Sequence, residues 1–481
     1  MSVSVPSFIS DNMVIQADMP APIWGWAQPG ESVLVAINGQ QVLSEADATG
    51  KWHVKLEPMS HGGPYELTIT GANTIAISNV AVGEIWLASG QSNMQWIVAD
   101  CANPEEELGA SDYPMIREFT TERIHRSAPQ ENMNGEWFVS GRATTGQFSA
   151  VGYYFARYLH RELGVPVGII NSSWGGSMCI PWMRRQDLEG DPDLAPYLDN
   201  IVEAIDAYPG VQQHYEKLLA AYAEEYEAAH AAGEPLPPVP ELPPGYPTRA
   251  ATGMWNAMIH PLVPYAMRGA IWYQGESDAV LDLALLYRKT FSTMISGWRE
   301  AWGQGDFPFL FVQLANFNTD TNWPVLREAQ LQTLSLPNTA MAVTIDIGDA
   351  IDIHPKNKQD VGYRLGLAAR AAAYGEDLVF SGPIYSGMTV EGDAIRLAFE
   401  HTGGGLVAKD GKPLVGFEIA AGDRRFVPAA ARIDGHTVVV GSPDVSTPAA
   451  VRYAWANNPA CNLCNAEGLP ACPFRTDDWE P

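Results

Sequence analysis

Strand-like apolar runs alternate with helical segments from Glu84 to about residue 377, and this alternation is the strongest constraint on the fold. EIWLASG is almost continuously apolar, as expected of a strand buried on both faces of a sheet. VPVGIINSS, AMRGAIWYQG, FPFLFVQLA and TAMAVTIDI have the same character. Segments with helical spacing lie between them, for example SAVGYYFARYLHREL. Strand–helix alternation over this length predicts a parallel α/β sheet flanked by helices.

Short strands and turns are predicted on either side of this central region. Residues 1–83 contain VLVAINGQQVLSEADATGKWHVKL, with alternating apolar and polar positions and turn signals at Asn38-Gly39. Residues 378–481 return to the same two-residue period. The chain therefore divides into an N-terminal β segment (1–83), an α/β domain (84–377) and a C-terminal β segment (378–481). Each β segment resembles part of a β-sandwich or jelly roll, and the two segments are candidates to pack together.

An insertion interrupts the α/β region from about residue 185 to 252. Its first part, IVEAIDAYPGVQQHYEKLLAAYAEEYEAAHAAG, has helical composition, and PLPPVPELPPGYP after it must be extended. The sequence leaves open whether this insertion covers a functional site or braces the outside of the domain.

Polar clusters follow four of the predicted strands. Because the carboxyl ends of parallel strands lie along one edge of a sheet, these clusters are expected to meet there. The first is GQSNM, where Ser92 follows EIWLASG on a glycine-containing turn. Ser92 is therefore a candidate nucleophile, although a serine between a strand and a helix also suits a helix N-cap.

The cluster DIHP supplies a candidate base for that nucleophile. His354 follows the last predicted strand of the sheet, and an imidazole can accept and return a proton near neutral pH. Asp352 is the nearest acid in the sequence. His260 is a rival, but it precedes a strand and is expected at the opposite edge of the sheet.

The other two clusters offer hydrogen-bond donors for an oxyanion. WYQGESD provides the amide of Gln274 and the carboxylate of Glu276, and NSSWGGS provides Gly175 and Gly176, where a backbone N–H can approach a substrate closely. An acyl-transfer site needs two or three such donors. Ordinary turns and a buried structural glutamine are the alternative interpretations.

Composition restricts the partners of such a site. The formal net charge is −27, which disfavours nucleic acid and anionic membrane surfaces. A neutral glycan fits this charge better than an acidic polymer, and a small acidic sugar would need a local arginine. The sequence contains no run of 18 apolar residues, so it predicts no membrane-spanning helix. No signal peptide is visible at the start of the sequence.

Five cysteines are too few for a disulfide scaffold in a chain of this size. The C-terminal group lacks a nearby fourth ligand for zinc, so free thiols or a local disulfide are the alternatives; it consists of Cys461, Cys464 and Cys472.

Together, the four clusters resemble the SGNH (GDSL-like) hydrolase superfamily and, within it, the sialate O-acetylesterase branch of carbohydrate acetylesterases. The resemblance rests on GQSNM (90–94), NSSWGGS (171–177), WYQGES (272–277) and DIHPKNKQDVG (352–362). It also covers DNMVIQADMPAPIWGWAQPGE, MWNAMIHPLVP and NAEGLPACPFRTDDW, and so extends over nearly the whole chain. It implies a flavodoxin-like, three-layer SGNH domain and a periplasmic or extracellular location.

The resemblance also implies roles for individual residues. Ser92 would be the nucleophile, and His354 the general base. The N–H groups of Ser92 and Gly176, with the amide of Gln274, would form the oxyanion hole. The superfamily often has Asp three residues before the His, where this chain has Ile351. The group that orients His354 is therefore Asp352, Glu276 or a backbone carbonyl.

The implied activity is hydrolysis of acetyl esters on a sugar or oligosaccharide through an acetyl-enzyme, with no metal or organic cofactor. The candidate substrates are acetylated sialic acid, xylan and xyloglucan. The alternatives are a non-catalytic carbohydrate-binding protein on a degenerate SGNH scaffold, or an esterase for other short acyl esters. A histidine base predicts activity that rises through an apparent pKa of about 6 to 7.

Overall fold

Seven strands open the chain, and the last of them continues into the central sheet. The computed structural model describes residues 2–199, 209–232, 234–235, 237, 240 and 250–480. The first strands are β1 Val14–Gln16, β2 Ala21–Trp26, β3 Ser32–Ile37, β4 Gln40–Glu45, β5 Lys51–Leu56, β6 Gly62–Thr70 and β7 Thr74–Gly90. The first half of β7 pairs with β6 and β1, and its second half lies in the central sheet. The boundary predicted after residue 83 thus falls inside one continuous strand.

The central sheet is parallel over six neighbouring strands. Its remaining members are β8 Ile116–Thr121, β9 Gly135–Val139, β10 Val167–Ser173, β11 Gly269–Tyr273, β12 Phe309–Val312 and β13 Thr339–Ala342. The strand order is β13-β12-β11-β7-β10-β8-β9, with only β9 antiparallel to its neighbour. The apolar runs read from the sequence form the buried strands β7, β10, β11, β12 and β13, which confirms the predicted α/β sheet.

Helices cover both faces of this sheet. The helices of the described ranges are α1 Ser92–Gln95, α2 Pro104–Gly109, α3 Ala150–Leu163, α4 Arg185–Glu189, α5 Pro209–Ala232, α6 Leu281–Trp302, α7 Trp323–Thr333 and α8 Lys358–Ala372. Trp86 contacts Phe155 of α3. Trp272, which pairs with Ser89 and so points to the other face, stacks on Phe291 of α6. No helix in the described ranges is long and apolar enough to cross a membrane.

Short helical turns complete the α/β region and one C-terminal loop. The 3₁₀ turns are Val98–Asp100, Thr145–Gln147, Ile180–Trp182, Ala195–Leu198, His260–Leu262, Glu276–Asp278 and Lys409–Gly411, and a π-helical turn spans Trp255–Ile259. The predicted insertion contains α4 and α5, while most of its proline-rich part lies outside the described residues.

The C-terminal strands form antiparallel sheets around a core of their own. They are β14 Ile384–Glu391, β15 Ala394–Glu400, β16 Leu406–Ala408, β17 Phe417–Ala421, β18 Val427–Pro428, β19 Ala430–Asp434, β20 Thr437–Gly441, β21 Pro448–Tyr453, β22 Leu463–Asn465 and β23 Phe474–Arg475. Their core includes Ile395, Val438 and Val451, whereas the N-terminal strands share one core with the α/β sheet. All five cysteines are free thiols.

Candidate active site

The four polar clusters meet at the carboxyl edge of the central sheet. Ser92 begins α1 immediately after β7, and Gly175 follows β10. A Cβ atom at Gly175 would lie 3.4 Å from the Cβ of Ser92. Glu276 follows β11, and His354 lies in the loop between β13 and α8. The convergence predicted from the positions of these clusters is present in the fold.

Ser92 and His354 are in direct contact although 262 positions separate them. The Nε2 atom of His354 is 2.8 Å from Oγ of Ser92, a hydrogen-bonding distance. Gly90 allows the sharp turn that presents Ser92. It has φ of 132°, and a Cβ atom there would lie 2.2 Å from the carbonyl oxygen of Tyr273. Ser92 therefore has a base in reach of its proton.

The ring of His354 is held by stacking and by its loop. Trp96 stacks on the imidazole with centroids 5.0 Å apart and an interplanar angle of 19°. Asp352 accepts a hydrogen bond of 2.8 Å from the backbone N–H of His354. The distance from its Oδ1 to Nδ1 of the ring is 3.8 Å, too long for a hydrogen bond. Asp352 thus shapes the loop and acts on the ring through its charge.

Burial lowers the pKa of His354 to about 4, with a further lowering by the positive charge of Lys358. The carboxylate of Asp352 opposes this by raising the pKa. The imidazole is therefore neutral at neutral pH, as a general base must be. Its pKa lies well below the range of 6 to 7 expected from the sequence.

A chain of buried hydrogen bonds, here called the inner network, lies on the other side of the histidine loop. Lys358 donates to Oδ1 of Asn93, and Nδ2 of Asn93 donates to Oε1 of Glu276 at 2.6 Å. The same Nδ2 donates to the carbonyl oxygen of Ile353 at 3.0 Å. The inner network joins three of the four sequence clusters and fixes the residue that precedes His354.

Lys358 is a cation without direct access to water. Its Nζ atom lies 5.9 Å from the ring centre of Trp96 and 5.5 Å from that of Tyr273. Burial lowers the pKa of Lys358 to about 8, against the opposing effect of nearby acidic groups that include Glu276. Lys358 is therefore positively charged at neutral pH and acts on His354 from within the protein.

Glu276 belongs to this network and does not orient the imidazole. Burial raises its pKa, while the hydrogen bond from Asn93 lowers it. Its Oε2 atom is buried and has no hydrogen-bond partner in the described ranges of the chain. Of the two carboxylates considered for His354, Asp352 is the one beside the ring.

Two backbone N–H groups at the nucleophile and in the glycine turn after β10 are available as donors. In the part of the chain that the structure describes, no acceptor is bonded to the N–H of Ser92 or of Gly176. Gly176 has φ of 73°, and the space beside its Cα is open. The neighbouring Gly175 is already used, since its N–H donates to Oε1 of Gln95 at 2.7 Å. Ser92 and Gly176 are thus the free donors at the nucleophile.

Gln274 does not present its amide to the nucleophile. It is fully buried, and its Nε2 donates to the carbonyl oxygen of Ser177 and to Asp278. Its Oε1 accepts from the hydroxyl of Tyr287 at 2.8 Å. The oxyanion role expected for Gln274 is therefore replaced in this structure by a scaffolding role, because the buried amide must satisfy all its hydrogen-bonding groups.

His260, the rival base, lies away from Ser92. Its Nδ1 atom is 2.9 Å from the carbonyl oxygen of Gln130, and its ring contacts Trp255. The position before β11 places it outside the cluster, as the sequence predicts.

Sequence reasoning missed Asn93 and Lys358. Both stand inside the recognised clusters, at GQSNM and DIHPKNKQ, but an asparagine and a lysine have no obvious role in acyl transfer. A lysine three residues beyond a His-Pro pair, at the first position of a helix, is the signal that could have identified Lys358.

Comparisons with known proteins agree with this geometry. A model of the family described as "Carbohydrate esterase, sialic acid-specific acetylesterase" matches residues 250–371. Sialate O-acetylesterase of Mus musculus is 33% identical over 97% of this chain and 93% of that protein. The human protein of the same name is 31% identical over 97% and 91%. A crystal structure of a carbohydrate acetylesterase from Xanthomonas citri superposes with a TM-score of 0.86 and 39% identity, covering 99% of this chain and 100% of that one.

Proposed function

The chain belongs to the sialate O-acetylesterase family, and from this premise we propose that Ser92 and His354 are the nucleophile and the general base of its reaction. The protein is a carboxylic ester hydrolase that removes O-acetyl groups from carbohydrates. The family and activity expected from the sequence clusters are thereby confirmed. The observation that carries the residue assignment is the 2.8 Å contact between Nε2 of His354 and Oγ of Ser92.

The proposed reaction proceeds by two acyl transfers. Oγ of Ser92 attacks the acetyl carbonyl carbon as its proton passes to Nε2 of His354. The tetrahedral intermediate then collapses, and the sugar oxygen leaves with that proton. Water, deprotonated by His354, attacks the acetyl-serine, and acetate leaves as the proton returns to Ser92.

The N–H groups of Ser92 and Gly176 form the proposed oxyanion hole. One belongs to the nucleophile itself, and the other follows Gly175, which lies against Ser92. Neither has another acceptor in the described residues, so both can donate to the oxygen that becomes negative. Preorganised donors of this kind contribute about 3 kcal/mol each to lowering the barrier.

Asp352 is the proposed acidic partner of His354. Its carboxylate is 3.8 Å from Nδ1 and stabilises the imidazolium through charge. The catalytic unit is thus a Ser–His pair assisted by a nearby carboxylate.

We also propose the finer fold assignment. Without the edge strands β8 and β9, the order β10-β7-β11-β12-β13 reads 2-1-3-4-5 in chain order, the flavodoxin-like arrangement associated with SGNH hydrolases. The separate C-terminal core supports a domain division near residue 378. The N-terminal β segment (1–83), predicted as an accessory segment that could pack with the C-terminal one, is proposed instead as an extension of the central sheet.

Acetate release tests the function. Purified protein and the Ser92→Ala variant are assayed with p-nitrophenyl acetate, p-nitrophenyl butyrate, acetylated xylo-oligosaccharides and O-acetyl sialic acid. We expect release from acetyl sugars that disappears in the variant. Turnover retained by Ser92→Ala would refute the nucleophile assignment.

A further inference from the structure

Helix α5 of the insertion turns one face toward the body of the protein. Among its described side chains, the half-buried ones are Leu219, Tyr222, Tyr226 and Ala229, and nearly all the others are exposed. Their spacing of three, four and three residues places them on one side of the helix. The insertion therefore brings a defined face, including two tyrosines, against the rest of the molecule.

This face reaches the catalytic loop. The hydroxyl of Tyr226 lies beside the carboxylate of Asp352, and burial together with that charge raises the pKa of Tyr226. The charge of Asp352 also acts on Tyr222. Asp352 is 3.8 Å from the ring of His354, so Tyr226 stands on the Asp352 side of the catalytic histidine.

The two tyrosines form an aromatic surface with one unsatisfied polar group. Their ring centres are 5.9 Å apart, and His230 stacks on Tyr226 at 5.9 Å with an interplanar angle of 9°. The Tyr226 hydroxyl is buried, and beside Asp352 it makes no hydrogen bond of ordinary length within the described residues. Leaving such a group unpaired costs about 1–3 kcal/mol, so a ligand hydroxyl that pairs with it gains affinity.

We propose that Tyr222 and Tyr226 form a subsite for a neutral sugar ring of the acetylated substrate, next to the Ser92–His354 pair. This inference rests on the proposed function and names its substrate class. The apolar C–H face of a pyranose packs on aromatic rings, while its hydroxyls pair with polar groups such as the Tyr226 hydroxyl.

Charge selects a neutral sugar at this subsite. Asp349 and Asp352 both act on Tyr226, and the whole chain carries a formal net charge of −27. A sugar carboxylate placed against these acids would be repelled. The subsite therefore accepts an acetylated neutral glycan and disfavours O-acetylated sialic acid.

Three substrates distinguish sugar binding at the subsite from the acyl-transfer reaction at Ser92. Steady-state kcat/KM is measured for acetylated xylo-oligosaccharides, O-acetyl sialic acid and p-nitrophenyl acetate, which has no sugar. Tyr222→Ala is expected to lower kcat/KM on the neutral oligosaccharides by about tenfold and to leave p-nitrophenyl acetate unchanged. Tyr226→Phe, which removes only the hydroxyl, is expected to cost a few-fold on the oligosaccharides alone.

A matched control lies on the same helix. Leu218→Ala shortens an exposed side chain outside the proposed subsite, so it should retain wild-type kcat/KM on all three substrates. An equal loss on p-nitrophenyl acetate and on oligosaccharides in Tyr222→Ala would show a structural role and overturn the subsite, as would no loss on either.

A separate result would contradict the proposed preference for neutral sugars. A wild-type kcat/KM higher for O-acetyl sialic acid than for the neutral oligosaccharides would overturn the preference for a neutral ring while leaving the esterase intact. Absence of acetate release from every substrate would refute the proposed function itself and the subsite with it.

Discussion

On one side of His354 a buried chain of hydrogen bonds joins Lys358, Asn93 and Glu276, whereas on the other side Asp352 stands 3.8 Å from the ring without a hydrogen bond to it. The first side, the inner network, is made by residues of the sequence clusters that surround the nucleophile. The second, here called the outer side, consists of Asp352 and the tyrosines of α5. The position of the base is therefore set mainly from within the α/β domain, and the outer side adjusts charge and substrate contact.

The charges on the two sides act on the imidazole in opposite directions. Lys358 lowers the pKa of His354, and Asp352 raises it. A cation beside a general base weakens the base but keeps it neutral in acid. The comparison thus predicts that removing either charge moves the pH profile, each in its own direction.

Replacing the shared histidine has the largest expected effect. His354→Ala should lower kcat on acetylated oligosaccharides by about 10⁴-fold, because no other group can accept the Ser92 proton. Urea unfolding should show little change in stability, since the ring is partly exposed. A variant that keeps a tenth or more of wild-type kcat would contradict the base assignment.

Disruption of the inner network should have the second-largest effect on activity. Lys358→Met is expected to lower kcat/KM by about 10²-fold, because Asn93 and the backbone before His354 lose their anchor. It should also reduce the free energy of unfolding by about 1–3 kcal/mol, because the buried Oδ1 of Asn93 loses its hydrogen-bond donor. Urea denaturation and kinetics measure the two effects, and wild-type values for both would show that the network is not what positions the base.

The outer side is expected to matter less. Asp352→Asn should cost about tenfold or less in kcat/KM, because the carboxylate makes no hydrogen bond to Nδ1. Glu276→Gln is the matched comparison on the inner side and should cost more. A larger loss in Asp352→Asn than in Glu276→Gln would reverse the ranking of the two sides.

The smallest effect is a shift of the acidic limb of the pH profile. Activity requires neutral His354, so kcat/KM should be flat from neutrality to about pH 5 and fall tenfold per pH unit below about pH 4. Lys358→Met should move this limb to higher pH, and Asp352→Asn should move it to lower pH. Shifts in the same direction for both variants would contradict the opposing roles of the two charges.

The sequence predicts the Ser92–His354 pair better than the residues on either side of it, for a physical reason. Buried strands followed by polar residues define which side chains share a sheet edge, and so Ser92 and His354 were placed correctly. Which polar atoms then pair within that edge depends on side-chain geometry that no periodicity encodes. Gln274 was expected at the oxyanion but binds Ser177 and Asp278 instead.

The outer side depends on the long insertion, and its placement could not be predicted. The helical character of α5 follows from its composition. Its contact with the catalytic loop joins Tyr226 and Asp352, which are close in the fold but far apart in the sequence. The low pKa of His354 cannot be predicted from the sequence either, because burial and the buried charge of Lys358 are properties of the folded protein.

Identification of the residue that is acetylated during turnover tests the assignment of Ser92 as nucleophile most directly. The enzyme is mixed with an acetylated oligosaccharide, quenched in acid within the first turnovers, digested, and examined by mass spectrometry. We expect one added acetyl group on the peptide containing Ser92, and none in the Ser92→Ala variant, which should also release no acetate. An acetyl group on a different residue, or undiminished acetate release by Ser92→Ala, would contradict the assignment of Ser92 as nucleophile.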